Sequence, residues 1–285
     1  QNPSGNVNMN NIAIGMNALQ ANTTAVNNIA IGTSAMYTNV DGSHNVAIGY
    51  EALKTNASGA YNTAIGYEAL KVNTASSNTA LGYQAGVAIT SGDLNTAIGR
   101  GAMATNTHGD RNVAVGNNAL TTYNPASNED GYNTAVGLNA LSNATVGNLN
   151  TALGGKAAEG LTEGIKNVAV GAFALDASSG TGDENTAIGY AGLSNITSGS
   201  SNIGIGYAAG TAITTSDDNT IIGHGAGLLL YGANNTCIGS GAGSNITSGA
   251  GNVCIGKDAQ VGSASGSGQV VITNGTVVAD FEGSE

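Results

Sequence analysis

The chain has 285 residues, with 45 Gly, two Phe, no Trp, 9% charged residues and 18 acidic against seven basic side chains, for a net charge of −11. Such an acidic balance, without a Lys/Arg stripe, excludes docking on a nucleic-acid backbone or an anionic membrane surface. An aromatic content of 4% is too small to fill a round core, so burial has to come from many small, similar contributions.

In chain order, residues 1–10 form a lead-in that carries neither an initiating Met nor a charged and apolar leader. The repeats begin next. The phrase Asn, any residue, small residue, aliphatic, Gly starts at Asn11, Asn28, Asn45, Asn62, Asn78, Asn95, Asn112, Asn133, Asn150, Asn167, Asn185, Asn202, Asn219, Asn235 and Asn252. The steps between copies are mostly 17 residues, with 16 at two places, 18 once and 21 once. Each copy is too small to bury its own apolar face, so it must lie on its neighbour. The period therefore predicts an all-β solenoid, a β-roll or β-helix of about 15 rungs over residues 11–268, roughly 70 Å long at about 4.8 Å per rung. An open end coil is an edge that further domains or other chains would continue.

Within the repeat, positions 2 to 4 read as a strand of β-formers with side chains on alternate faces. Position 4 is always Ile, Val or Leu, at Ile14, Ile31, Ile48, Ile65, Leu81, Ile98, Val115, Val136, Leu153, Val170, Ile188, Ile205, Ile222, Ile238 and Ile255. This column is expected to point inward as the core. Position 3 is nearly always Ala, which implies crowding on the opposite face as well. The small apolar pair at positions 8 and 9, such as Ala52 and Leu53, reads as a second, shorter strand, and the polar remainder reads as a returning turn. The repeated Asn is expected to form a structural ladder of stacked amides rather than a ligand site, and Gly at position 5 a turn, since no basic residue or helix start follows to make a phosphate cradle.

The phrase NTAIGYEAL from Asn62, with its Asn, Thr, Ser and Gly spacer, is similar to the head repeats of trimeric autotransporter adhesins and closer still to shaft repeats of phage tail fibres and related surface fibres. The resemblance covers about residues 11–256. It implies three parallel chains, each winding a left-handed β-roll or β-helix, in an extracellular fibre on a virion or a bacterial surface. The segment at 269–285, one further period on, resembles the exit from such repeats and reads as a degenerate last rung.

Departures from the period come next. Four extra residues between Asn112 and Asn133, containing Pro125, predict a longer surface loop, with Tyr123 and Tyr132 as receptor contacts if the chain makes any there. Tyr50, Tyr67 and Tyr83 occupy one column, which suits either sugar contact or cover for the flank of the coil or of a neighbouring chain. Cys237 and Cys254 share position 3 of consecutive copies, close enough for a bridge, though packing as small hydrophobes is the favoured reading. His44, His108 and His224 fall in different rungs and define no metal cluster, and Asp93, Asp110, Asp183, Asp217 and Asp218 lack the spacing of calcium-binding rolls and read as turn carboxylates. No residues single themselves out for catalysis, a metal or a cofactor, and no apolar run approaches the 20 or so residues of a membrane span.

The expectation is therefore a non-enzymatic fibre segment, a parallel homotrimer that holds or forms a host-attachment element against a cell-surface glycan or protein receptor. Two alternatives stand beside it. One is a filament subunit that polymerises end to end; the other is a glycan- or ice-binding solenoid whose Thr63, Thr79 and Thr96 column faces water.

Overall fold

The computed structural model describes residues 10–273 and 278–282, and these residues contain no helix. All of the expected lead-in except Asn10, together with residues 274–277 and 283–285 of the exit segment, lies outside the described residues.

The chain divides into two units, Gln1–Val146 and Gly147–Glu285. The first is a stack of eight coils, each contributing one three-residue strand: β1 (Ile12–Ile14), β2 (Ile29–Ile31), β3 (Val46–Ile48), β4 (Thr63–Ile65), β5 (Thr79–Leu81), β6 (Thr96–Ile98), β7 (Val113–Val115) and β8 (Thr134–Val136). Each strand pairs in parallel with the strand of the next coil, and the register never slips: Ile48 lies opposite Ile65 and Ile65 opposite Leu81. The long step between Asn112 and Asn133 leaves Val113 opposite Thr134, so the extra residues are accommodated wholly outside the strand ladder.

The second unit repeats the arrangement in seven coils with β9 (Thr151–Leu153), β10 (Val168–Val170), β11 (Thr186–Ile188), β12 (Ile203–Ile205), β13 (Thr220–Ile222), β14 (Thr236–Ile238) and β15 (Val253–Ile255). β16 (Gln269–Thr273) continues the parallel ladder, while β17 (Val278–Glu282) reverses direction and pairs antiparallel with β16.

Gly at position 5 ends each of β1 to β15 for two separate reasons. At Gly49 the backbone takes φ +140°, a region L side chains avoid, and a Cβ there would collide with the carbonyl of Gly66 in the next coil. Each of these fifteen strands therefore stops after three residues at a Gly corner.

The expected second strand at positions 8 and 9 does not form. That stretch is a run of turns in which position 7 and position 9 both take left-handed angles, as at Glu51 (φ 53°) and Leu53 (φ 52°). These turns still stack: the Leu53 N–H donates to the Ala69 carbonyl at 3.0 Å, and the Leu70 N–H to the Ala85 carbonyl at 3.1 Å. A left-handed Leu costs roughly 1–2 kcal/mol, and the fully buried side chains of Leu53 and Leu70 offset it with about 1.5–3 kcal/mol each.

The core column is also placed differently from expectation. Asn at position 1 and Ala at position 3 point into the coil, as Asn45 and Ala47 do, both fully buried, so strand alternation turns positions 2 and 4 outward. Ile14, Leu81 and Leu153 are 59%, 45% and 46% exposed. Ile188 and Ile238 are exposed too, and Ile31, Ile48, Ile65, Ile98, Val115, Val136, Val170, Ile205, Ile222 and Ile255 are half-buried. The interior is narrow and is filled by Ala at positions 3 and 8 with Leu or Met at position 9, including Ala64, Ala69 and Leu70.

That interior conserves volume between coils. Where position 9 is Gly, at Gly86, Gly210, Gly227 and Gly243, position 12 becomes Ile89, Ile213, Leu230 and Ile246, all fully buried. A Cβ on Gly86 would lie 2.9 Å from Ile89 Cδ1, so the larger residue has taken the space. The coil holding Leu193 and Ile196 together is followed by Gly204 in place of the usual Ala, and a Cβ on Gly204 would collide with Leu193. The next coil regains volume with Ile221.

Candidate functional site

The Asn residues at position 1 form the polar spine of each unit. The Asn62 N–H donates to Asn45 Oδ1 at 2.8 Å, and Asn45 Nδ2 donates at 2.8 Å to the carbonyl of Gly59, across its own coil. One short amide thus supplies an acceptor to the neighbouring coil and a donor that closes its own turn. The same pattern links Asn28 to Asn45, Asn185 to Asn202 and Asn235 to Asn252. With both functions used and the side chains buried, these residues have nothing to offer a ligand.

A second ladder runs through Ser and Asp two residues before the Asn. The Ser76 N–H donates to Asp93 at 2.6 Å, the Asp93 N–H to Asp110 at 2.7 Å, and the Ser200 N–H to Asp217 at 2.8 Å. These carboxylates tie coils together rather than standing free in solvent. Among the described residues no group of three or more His, Cys, Asp or Glu side chains could hold a metal ion, and no helix is long and apolar enough to cross a membrane.

The outward side of the strands is the surface without an evident partner. Positions 2 and 4 contribute two residues in each of fifteen coils, thirty in all, every one of them Ile, Val, Leu or Thr. Not one of the chain's 18 acidic and seven basic side chains falls there. Ile12, Val113 and Ile203 at position 2 are exposed, while Thr63, Thr79 and Thr96 in the same column are half-buried.

Two exposed columns flank this face, one at each end of the strands. The column after the Gly carries Tyr50, Tyr67 and Tyr83, whose rings stack with centroids 5.2 Å apart and interplanar angles of 12° and 8°. In the second unit Tyr190 and Tyr207 stack at 5.5 Å, and Tyr207 and His224 at 5.0 Å. Ring faces engaged in this way are closed to flat stacking of a sugar, and what the column presents outward is hydroxyls and ring edges. The column before the Asn carries His44 stacked on Tyr61 at 5.1 Å, and Tyr132 with the Arg111 guanidinium 5.9 Å above its ring. Tyr132 is exposed.

Tyr123 corrects the loop expectation. It is fully buried, standing at position 12 inside the coil, and its hydroxyl has no hydrogen-bond partner. Burial, with Glu129 and Asp110 nearby, pushes its phenol up to about 12. It fills the interior against Gly109, where a Cβ would collide with its ring, because the extra residues enter only after it. Asn128 of the loop instead reaches back, donating to the Ser91 carbonyl at 3.1 Å and accepting from the Ser91 hydroxyl at 2.7 Å.

Cys237 and Cys254 are free, buried and directly opposite in β14 and β15. The hydrogen bond to Cys254, together with burial, holds the Cys237 thiol far above the ordinary range, so it stays protonated. The sequence reading missed a charged network: Lys71 bridges Glu51 at 2.8 Å and Glu68 at 2.7 Å, and Lys54 pairs with Glu51 at 2.6 Å. Hydrogen bonds from Lys54 and Lys71 lower the Glu51 carboxyl to about 2. Its signal was present as Glu and Lys three residues apart, repeated one period later.

No family model, curated protein or solved structure matches the chain.

Proposed function

We propose that the chain is a structural fibre segment, the shaft or head of a viral tail fibre or surface adhesin, which associates as a parallel homotrimer outside the cell and holds or forms a host-attachment element. The observation that carries this reading is the charge-free outward sheet face. An acidic protein that leaves all thirty outward strand positions of its two units without one charge has, in each unit, a face suited to being covered by another copy. The role is mechanical. Laddered hydrogen bonds and interlocked small side chains give stiffness.

Native mass measurement tests the proposal. Three copies per particle are expected at micromolar concentration. Ile65→Glu together with Ile205→Glu, one in each unit, should give a single copy with unchanged circular dichroism, because both side chains already point outward. A wild-type chain that stays single at tens of micromolar would overturn the trimer. Particles that lengthen with concentration would favour the filament reading in its place.

A further inference from the structure

The two columns flanking the sheet face in the second unit are chemically unlike. After the strands stand Tyr190, Tyr207 and His224, whose outward groups are hydroxyls and an imidazole. Before the same three strands, β11, β12 and β13, stand Glu184, Ser201 and Asp218, all exposed, which offer two carboxylates and a hydroxyl. In these three coils of the unit's seven, a donor at one end of the strand is matched by an acceptor at the other. Within one chain they cannot meet: His224 and Asp218 lie beyond opposite ends of β13, whose three strand residues alone span about 10 Å.

From this juxtaposition we infer that copies of the chain join edge to edge, head to tail, with the Tyr190–Tyr207–His224 column of one copy against the Glu184–Ser201–Asp218 column of the next. This inference rests on the association proposed above and says which edges meet. The two edges differ, so the contact is heterologous, and a parallel alignment keeps each donor at the height of its acceptor. Like-to-like contact would instead set Glu184 against Glu184 and Asp218 against Asp218, which repel.

The aromatic stacking also serves the contact, because side chains already fixed against one another lose little freedom when a partner arrives. Glu184 is paired with Lys166 at 2.8 Å in its own column, and both are exposed, so a carboxylate oxygen remains open to a hydroxyl donor.

Cysteine crosslinking tests the inference on the full chain. Cys237 and Cys254 are first changed to Ala, the usual residue at position 3, and His224→Cys and Asp218→Cys are then introduced separately and together. The position of Asp218 already accepts Tyr61, Leu94 and Lys166 in other coils, so folding should survive, and circular dichroism under reducing conditions verifies it. A bridge needs Cα atoms within about 7 Å, which excludes closure within one chain. With oxidised glutathione, the double variant is expected to give covalent dimers and one larger closed species, all reversed by dithiothreitol, while each single variant stays uncrosslinked. If native mass shows an assembled particle but the double variant does not crosslink, or if either single variant crosslinks as well as the double, the edge assignment is overturned and association survives. A particle of one copy overturns both.

Discussion

Asn45 is the sharpest test of what holds a coil to its neighbours. Its Oδ1 is the partner given to the buried Asn62 N–H, and its Nδ2 reaches Gly59. Asn45→Ala orphans that N–H, at about 1–3 kcal/mol for a buried donor left unmade, and removes a bond worth roughly 0.5–1.5 kcal/mol. The Gly59 carbonyl is not orphaned, because Asn56 Nδ2 also donates to it at 2.8 Å. The expected loss is therefore about 2–4 kcal/mol, read from chemical denaturation followed by circular dichroism. Asn117→Ala, at an exposed position in the coil that starts at Asn112, should change stability by less than about 0.5 kcal/mol. Asn45→Asp adds a pH signature. Burial raises the carboxyl above its unfolded value of about 3.9, so the folded state binds the proton more tightly. That variant should be most stable below about pH 4, where the protonated acid can still donate to Gly59, and should lose stability as pH rises towards the raised value. An Asn45→Ala chain as stable as Asn117→Ala, or an Asn45→Asp chain that gains stability with rising pH, would refute the reasoning.

Three further expectations follow from the interior. Gly204→Ala should destabilise by about 1–3 kcal/mol through overpacking against Leu193, and Leu193→Ala added to it should cost less than the two losses summed, as a double-mutant denaturation cycle would read. Tyr123→Phe should raise the unfolding midpoint, since it removes a buried hydroxyl with no partner; the wild type should lose stability as pH rises from about 10 towards 12, because the unfolded chain gives up that proton first, and the variant should lack this alkaline loss. Changing Cys237 and Cys254 together to Ala should cost about 2 kcal/mol or less in denaturant melts, each removing one buried sulfur from a column that is otherwise mostly Ala.

The period and the strand register were fully legible in the sequence, because a fixed spacing of Asn and Gly leaves one way to stack: Ile48, Ile65 and Leu81 had to line up. Which side of the strand faced inward was not legible from hydrophobicity alone. Thr-Ala-Ile presents apolar groups in both directions, and the larger aliphatic drew the core assignment. Size was the better guide: in a coil closed by a Gly corner after three residues, Leu70 already fills the interior beside Ala69, so Ile65 is turned out and Ala64 in. The turns at positions 7 and 9 were hidden for a related reason. Left-handed Leu53 and Leu70 violate local preference, and only their burial in a stacked coil makes that conformation worthwhile. Tyr123 misled because an aromatic beside a Pro-containing insertion suggests an exposed tip, whereas the insertion begins just beyond it.

The shared packing of Leu193, Gly204, Gly210 and Ile221 makes some of these coils poor spare parts. Tandem genes drift by gaining and losing whole units through unequal crossing-over. A duplication of the coil that starts at Asn45 would splice in smoothly, since its Ala, Ala and Leu meet Ala30, Ala35 and Met36 on one side and Ala64, Ala69 and Leu70 on the other. Excising the coil that starts at Asn202 would drop Ile221 directly onto Leu193, so growth and shrinkage of the array should be tolerated at some junctions and forbidden at others.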